Sequence, residues 1–395
     1  MLATNIGYSP KHAAPPNGAR MRYPRMRPRR RTGPLLLAVG AAVLVAGAMM
    51  LSFASGPGHL AAPCSRNLPG CGPSGAGALA ASQVVVDSAS RYGFRGPAAI
   101  AVARGEVWVI NSAGNSLTRF DWRAGGRPIV LARPRYQLRG PAAISVSHGQ
   151  IWIANELGNS LSDISTANGR VIRIITGHTW LSAPKALVRS GAVLWVANEA
   201  SNSVAEINAI TGRLIALLQG SPYRFDNPDA LAVSDGRLWV ADAGSGSVTE
   251  LNATNGAWIA TLHGKAFGFG KPVSEAAGRG TLWVGSEGTG SLTEIDTVTG
   301  RPIRVGSYGL TNPAAMTLAG RDLWVTSALG NAVVEVDTVT GKTVRFLSGA
   351  RYAFDDPVGI AAYRGDVWVT SLADDAVTEL LPPGRAARAQ RTSLR

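Results

Sequence analysis

Apolar and polar residues alternate with a period of two along most of the chain after residue 83, as they do in half-buried β-strands. The unit that begins at Pro184 contains four such runs: ALVRS, VLWVAN, SVAEIN and RLIALL. Gly191 separates the first two runs and Thr211-Gly212 the last two, because glycine accepts the positive φ that a tight hairpin turn requires. A longer loop then leads to Pro228, where the next unit begins. The pattern predicts four short antiparallel strands in each unit.

The unit recurs seven times between residues 83 and 382. A tryptophan marks the second strand of every copy, at intervals of 41 to 44 residues: Trp108, Trp152, Trp195, Trp239, Trp283, Trp324 and Trp368. Four strands in about 44 residues is the blade of a β-propeller. We therefore predict an all-β, seven-bladed β-propeller over residues 83–382. Each tryptophan is expected to bury its large apolar surface against the neighbouring blade.

The last unit supplies only three strands before the chain reaches Pro382. Its missing fourth strand has a counterpart at the start of the domain, where Gln83–Pro97 aligns without gaps with Thr343–Pro357. We expect residues 83–90 to form the outer strand of the seventh blade, beside Thr378–Leu381. Such a strand closes the ring and leaves no open edge between its two ends.

A hydrophobic segment precedes the repeats. Leu35–Phe53 contains nineteen residues without a charge, which reach about 28 Å as a helix, close to the thickness of a bilayer core. Arg20–Arg31 is strongly basic, so the positive-inside rule places residues 1–34 in the cytoplasm and the propeller outside. The segment 35–54 is either a single transmembrane anchor, which its length favours, or a signal peptide cleaved after Ala54.

The net charge of +14 resides mostly in the two termini. Twelve of the 39 basic residues lie in residues 1–34 and 385–395, which leaves 27 basic and 25 acidic groups on the rest. A nucleic-acid-binding fold carries its basic patch on the domain itself, so this class of function is disfavoured. Residues 55–82 are rich in Gly, Ala, Ser and Pro and predict a flexible linker, in which Cys64 and Cys71 are candidates for a disulfide. Residues 383–395 are expected to form a basic disordered tail.

Written out blade by blade, the repeat resembles a known family. LWVANEASNSVAEINAITGRLIALL (Leu194–Leu218) is similar to the YVTN-type β-propeller repeat, and the resemblance covers residues 83–382. The related NHL-repeat and streptogramin B lyase-like propellers share a G-P-x-x-I opening with Gly96–Ile100 and Gly140–Ile144. The resemblance implies a propeller fold and an extracytoplasmic binding protein. The lyases also use a catalytic His with an acidic residue and Mg²⁺, but the histidines here occupy no matching repeat positions.

Candidate site residues follow from comparing equivalent loops across the blades. The loops after the second strands carry acidic and amide groups, which form either a ring of oxygen ligands for Ca²⁺ or Mg²⁺ or simply Asn/Asp turns. The candidates among them are Asn155, Glu156, Asn198, Glu199 and Asp242, with further acids at Glu287, Asp374 and Asp375.

Three further positions break the repeat. Most blades have a small residue after the first proline, but the third and fourth have Lys185 and Asp229, which we expect to pair or to line the channel mouth. In the fifth blade Glu275 replaces the Ile, Leu or Met of the other blades. A carboxylate at a core position is costly unless it is paired. Glu275 therefore marks either a site or a shifted strand register.

These features favour a membrane-tethered, extracytoplasmic β-propeller that binds a ligand or a protein partner, has no required cofactor and is not an enzyme. The membrane partner is residues 35–53; cleavage near Ala54 would give a secreted protein instead. The alternative function is a metal-dependent lyase or hydrolase whose site lies at the channel mouth. That alternative requires a His beside a carboxylate and a metal.

Overall fold

Seven four-stranded antiparallel sheets make up the part of the chain that the computed structural model describes, residues 84–122, 127–177 and 179–381. The prediction of a seven-bladed all-β propeller is confirmed. The predicted anchor or signal peptide (35–54), the linker with Cys64 and Cys71, and the tail 383–395 lie outside these residues. Within them, the helices are too short and too polar to span a bilayer.

The first described strand is β1 (Val84–Ser88), which is followed by the single-turn helix α1 (Ala89–Tyr92). The first blade contains β2 (Pro97–Ala103), β3 (Glu106–Asn111), β4 (Ser116–Asp121) and β5 (Ile129–Leu131). The second contains β6 (Pro141–Ser147), β7 (Gln150–Asn155), β8 (Ser160–Ser165) and β9 (Val171–Ile175). The third contains β10 (Pro184–Ser190), β11 (Val193–Asn198), β12 (Ser203–Asn208) and β13 (Leu214–Gln219). In each blade the strands follow one another in spatial order.

The remaining blades repeat this arrangement. The fourth contains β14 (Pro228–Ser234), β15 (Arg237–Asp242), β16 (Ser247–Asn252) and β17 (Trp258–Leu262). The fifth contains β18 (Pro272–Gly278), β19 (Thr281–Ser286), β20 (Ser291–Asp296) and β21 (Pro302–Gly306). The sixth contains β22 (Pro313–Ala319), β23 (Asp322–Ser327), β24 (Ala332–Asp337) and β25 (Thr343–Ser348). Short 3₁₀ turns lie in the loops at Pro134–Tyr136, Glu199–Ser201, Lys265–Phe267 and Ala350–Tyr352.

The seventh blade joins the two ends of the domain. It contains β26 (Pro357–Tyr363), β27 (Asp366–Ser371) and β28 (Ala376–Leu380), and β1 is its outer strand. Val84 pairs with Leu380 and Ser88 with Ala376 in antiparallel register. The predicted closing strand is therefore confirmed.

The hydrophobic core consists of seven separate clusters, one between each pair of neighbouring blades. Trp152 of the second blade, for example, packs with Leu194 and Val196 of the third, and Trp368 of the seventh packs with Val107 and Val109 of the first. The seven repeat tryptophans are all buried. The prediction that each tryptophan packs against the next blade is thus confirmed, and the core stabilises the ring by joining blades rather than by filling a centre.

Turns and loops lie at two opposite ends of the blades. One end, the cavity face, carries the loops that lead into each first strand and those after each second strand; the amide of Glu156 bonds to the carbonyl of Gly140 there. The opposite end, the base face, carries the turns between strands one and two and between strands three and four. These two sets of turns are also tied together, as where the amide of Ala209 bonds to the carbonyl of Ala192.

Candidate functional site

A cavity of about 210 Å³ occupies the mouth of the central channel at the cavity face. Its two sides differ in chemistry. Charged residues from the third to fifth blades form one side: Lys185, Glu199, Asp229, Lys271 and Glu287. Small or apolar residues from the first, sixth and seventh blades form much of the other: Ala98, Ile100, Ala314, Val358 and Ile360. A cavity with one polar and one apolar side fits an amphipathic ligand.

A β-bulge brings the repeat-breaking residues to this cavity. The register of the first strand shifts immediately after its opening proline, as between Pro184 and Ala186 and between Pro228 and Ala230. The residue at the bulge is left unpaired, and bulges commonly redirect side chains next to functional sites. Lys185 and Asp229 stand at this position and both line the cavity.

Lys185 bridges two carboxylates. Its Nζ lies 3.6 Å from Oε2 of Glu156 and 3.8 Å from Oε2 of Glu199, with a side chain that is only 9% exposed. Burial raises the pKa of Glu156, and the positive charge of Lys185 partly offsets that effect. The predicted site residues Lys185, Glu156 and Glu199 therefore form one cluster across the second and third blades.

Asp229 presents its carboxylate to the cavity. Within the described residues, no hydrogen bond or ion pair holds this group. Burial raises its pKa to about 6; the positive charges of Lys185 and Lys271 act against this rise, and the negative charges of Glu199 and Glu287 add to it. A half-buried carboxylate that remains mostly ionised at neutral pH and faces a cavity can receive a cationic or hydrogen-bond-donating group.

Lys271 is a cavity residue that sequence reasoning missed. It forms an ion pair with Glu287 and has a positive φ of 61°, immediately before Pro272. The same backbone position is taken in the other blades by Gly96, Gly140, Ala183, Asn227, Asn312 and Asp356. A left-handed conformation costs a non-glycine residue about 1–2 kcal/mol, but because every blade adopts it here, it belongs to the repeat and is not specific to Lys271. A lysine at a position that favours Gly or Asn was the signal in the sequence.

Asn155, Asn198 and Asp242 end the second strands and are fully buried. Asn155 donates to the Ser162 hydroxyl at 2.9 Å, and Asn198 donates to the Trp180 carbonyl at 3.1 Å. Asp242 takes the place of the asparagine and accepts a 2.8 Å bond from Thr249. Burial raises its pKa to about 7, although the bond from Thr249 acts against that rise. These contacts stay within one blade and its loops, and they favour the turn-forming alternative over a ring of ligands.

Glu275 of the fifth blade does not line the channel-mouth cavity, and its carboxylate lies near Ala232 and Asp242 of the fourth blade. It pairs with Val284 just as Ile100 pairs with Val109, so the alternative of a shifted register is wrong. The residue as a whole is half-buried, yet both carboxylate oxygens are shielded from solvent, and among the described residues neither has a hydrogen-bond partner at close range. Burial, and then the negative charge of Asp242, raise its pKa well above the usual value, while the backbone amide of Ala232 lowers it.

The histidines do not meet the requirement of the lyase alternative within the described residues. His148 lies in a turn at the base face, His263 is exposed in a loop after β17, and His178 lies outside the described residues. Across the described ranges, no group of three His, Cys, Asp or Glu side chains is arranged to hold a metal ion. The Glu156 and Glu199 carboxylates do not fit a resident Mg²⁺, because the Lys185 ammonium bridges them.

Fold and cavity together define a seven-bladed β-propeller with a ligand-sized channel mouth. No protein-family model and no curated protein matches the chain. Among solved structures, virginiamycin B lyase from Staphylococcus aureus is 18% identical over 76% of this chain and 99% of its own, with a TM-score of 0.65. A streptogramin B lyase is 18% identical over 75% and 97%, with a TM-score of 0.63. The WD40 repeats of RRP9 are 12% identical over 75% and 97%, with a TM-score of 0.63. At these identities the likeness shows the fold alone. The predicted YVTN-type repeat is consistent with that fold.

Proposed function

We propose that the protein is a non-enzymatic binding module, tethered outside the cytoplasmic membrane, whose channel-mouth cavity binds a small amphipathic cation. The observation that carries this proposal is the Asp229 carboxylate, which faces the cavity without a partner among the described residues. Ile100, Val358 and Ile360 provide an apolar surface in the same cavity. Asp229 would bind the cationic group of the ligand and these three residues its apolar body.

The volume of the cavity limits the size of that ligand. About 210 Å³ corresponds to about seven water molecules at about 30 Å³ each. This is enough for a small amine or for a single basic side chain that projects from a protein partner. Lys185 and Lys271 are held by carboxylates, which leaves Asp229 as the group that selects for positive charge.

The proposal is tested by binding of matched probes. Isothermal titration of the purified full-length protein with 3-methylbutylamine, at pH 7.5, should give a measurable affinity, and 3-methylbutanoate, which has the same branched chain but a negative charge, should bind at least tenfold more weakly. Asp229→Asn should abolish the preference. Asp374→Asn, which removes an exposed carboxylate from a loop of the cavity face, should leave it intact. Equal binding of both probes by the wild-type protein would refute the proposed site.

The tether is the second part of the proposal, and Leu35–Phe53 with its basic flank supports it. Extraction of cell membranes with sodium carbonate should leave the full-length chain in the pellet. Release into the supernatant, together with a mature N-terminus at Ser55, would show instead that residues 35–54 are a cleaved signal peptide.

The alternative, a metal-dependent lyase, is favoured by one observation, the likeness of fold to virginiamycin B lyase. A catalytically inactive variant of that enzyme has been solved with quinupristin. Thermal melting of this protein in Mg²⁺, Ca²⁺ and EDTA separates the two hypotheses, because a metal that binds only the folded state raises the melting temperature. A stabilising Mg²⁺ effect together with cleavage of quinupristin would establish the alternative.

A further inference from the structure

We propose that the base face of the propeller lies against the outer surface of the bilayer, so that the cavity opens away from the membrane. This inference rests on the proposed tether and goes beyond it, because a tether alone sets no orientation. Three features of the described residues carry it: the position of both ends of the domain, a set of exposed aliphatic turn tips, and basic side chains beside those tips.

Both ends of the domain lie at the base face. Val84 pairs with Leu380, which in turn pairs with Val367, next to the base-face turn at Arg364 and Gly365. Ser88, at the other end of β1, pairs with Ala376 near the cavity face. Residues 54–83, which connect the hydrophobic segment to β1, therefore join the propeller at its base. The basic residues 385–395 follow from the same face.

Aliphatic side chains project from the base-face turns of three blades. Ile210 is 63% exposed, Val298 80% and Val339 63%, each in the turn between the third and fourth strands. These turns are preformed, since the side chains of Asn208, Asp296 and Asp337 accept hydrogen bonds from the backbone amides of the turn residues. A rigid turn that presents an exposed valine or isoleucine suits insertion into the interfacial layer of a bilayer.

Basic residues accompany these tips. Arg213, Arg301 and Lys342 each follow a tip by three residues and are exposed. Anionic headgroups attract such side chains. Exposed arginines also occur at the cavity face, among them Arg95 and Arg139. Exposed leucines occur there as well, at Leu157 and Leu329. Neither charge nor apolar exposure therefore selects the face by itself; the position of the chain ends does.

Because the propeller is tethered, even weak contacts of the turn tips and basic residues with the bilayer are sufficient to orient it. If residues 55–82 are the flexible linker that the sequence predicts, their root-mean-square length is about 30 Å. The tether then holds the base face near the bilayer at a high effective concentration, so that contacts too weak to bind a free propeller still orient a tethered one. We therefore expect the orientation to be a property of the full-length chain.

Fluorescence quenching in the full-length protein tests the orientation. Cys64→Ser and Cys71→Ser remove the native thiols, and a single environment-sensitive label is placed by Val339→Cys at the base face or by Leu329→Cys at the cavity face. The two positions belong to the same blade and are 63% and 61% exposed. The protein is reconstituted in nanodiscs of phosphatidylcholine and phosphatidylglycerol that contain doxyl-labelled lipid.

Doxyl lipid should quench the label at position 339 at least threefold more than the label at position 329. Replacing the other two tips, by Ile210→Ser and Val298→Ser together, should reduce the quenching at 339. Equal quenching at both positions, stronger quenching at 329, or none at either in a protein that remains bound to the nanodisc would overturn the orientation. A protein that does not remain bound would instead refute the tether, so the two failures are distinguishable.

Discussion

The backbone amide of Gly96 donates a 2.6 Å hydrogen bond to Oδ1 of Asp375 and thereby joins the first blade to the seventh. The same bond recurs at four other blade interfaces, where a loop asparagine accepts from the residue before the next opening proline: Asn115 from Gly140, Asn159 from Ala183, Asn202 from Asn227, and Asn331 from Asp356. The two interfaces of the fifth blade have Gly246 and Gly290 at this position instead. The ring is thus tied at five interfaces and lacks the tie on both sides of the blade that supplies Lys271 and Glu287.

Removing the closing bond should weaken the whole ring. Asp375→Ala leaves the amide of the buried Gly96 without its acceptor, which costs about 1–3 kcal/mol, and it also places an alanine at a φ of 50°. Urea unfolding followed by tryptophan fluorescence measures the loss. Asp374→Ala removes the neighbouring exposed carboxylate and should change stability by less than about 0.5 kcal/mol. Equal effects of the two variants would show that the bond does not contribute to closure.

Restoring the missing bond should stabilise the fourth blade against the fifth. Gly246 has a φ of 64°, which asparagine tolerates, and a Cβ there would lie 3.7 Å from the nearest atom, the Phe269 carbonyl oxygen. Gly246→Asn should therefore raise the free energy of unfolding by about 1 kcal/mol. Gly290→Asn is the matched control: its Cβ would lie only 2.6 Å from the Leu310 carbonyl oxygen, so the same change should be destabilising. The prediction is wrong if both variants shift stability in the same direction.

Glu275 should oppose folding increasingly as the pH rises. Its pKa is raised in the folded state, so its contribution is most favourable below the unfolded pKa near 4.5 and diminishes as the pH rises toward the folded pKa. Glu275→Leu should stabilise the protein by about 1–3 kcal/mol at pH 7, with a larger gain at pH 8 than at pH 5. Glu275→Gln should remove the pH dependence without the gain in apolar packing. A leucine variant less stable at every pH would show that the carboxylate makes a necessary contact.

Asp242 and Asn198 occupy equivalent positions in the fourth and third blades, so each can be replaced by the residue found at the other. The pKa of Asp242 is raised from 3.8 to about 7 by burial, so Asp242 too reduces stability as the pH rises from about 4 to about 7. Asp242→Asn should flatten this dependence and stabilise the protein at pH 8. Asn198→Asp places a carboxylate in the equivalent buried position and should produce the opposite change. Urea unfolding at pH 5 and pH 8 measures both slopes, and unchanged slopes would contradict the assignment.

The fold could be predicted from the sequence because its signals are local and repeated. A tryptophan, a hairpin glycine and an opening proline recur in every blade, and the alignment of Gln83–Pro97 with Thr343–Pro357 revealed the closing strand. Comparison of the residue after each opening proline singled out Lys185 and Asp229 as departures from the repeat. Their place in the cavity follows from the bulge after each proline, which every blade shares.

The rest depended on contacts between blades. The sequence did not show whether Glu275 faced a partner, because its neighbours, Ala232 and Asp242, belong to the preceding blade. The sequence also left open whether Asn198 holds a loop or binds a ligand. The group that accepts its hydrogen bond, the carbonyl of Trp180, lies in the loop before the blade, and only the structure brings the two together. Lys271 was overlooked because it lies immediately before Pro272, whereas the comparison across blades covered the residues after each opening proline and the loops after the second strands.

Binding of the cationic probe should follow the ionisation of Asp229. With a pKa of about 6, the carboxylate is mostly protonated at pH 5 and mostly ionised at pH 7, while 3-methylbutylamine remains positively charged throughout. The affinity should therefore rise by about tenfold between pH 5 and pH 7. Isothermal titration at several pH values gives the midpoint directly. Asp229→Asn should bind weakly with no such dependence, whereas Glu275→Gln should retain it because Glu275 lies outside the cavity lining. An affinity that is constant or falls over this range in the wild-type protein would exclude Asp229 as the residue that binds the cation.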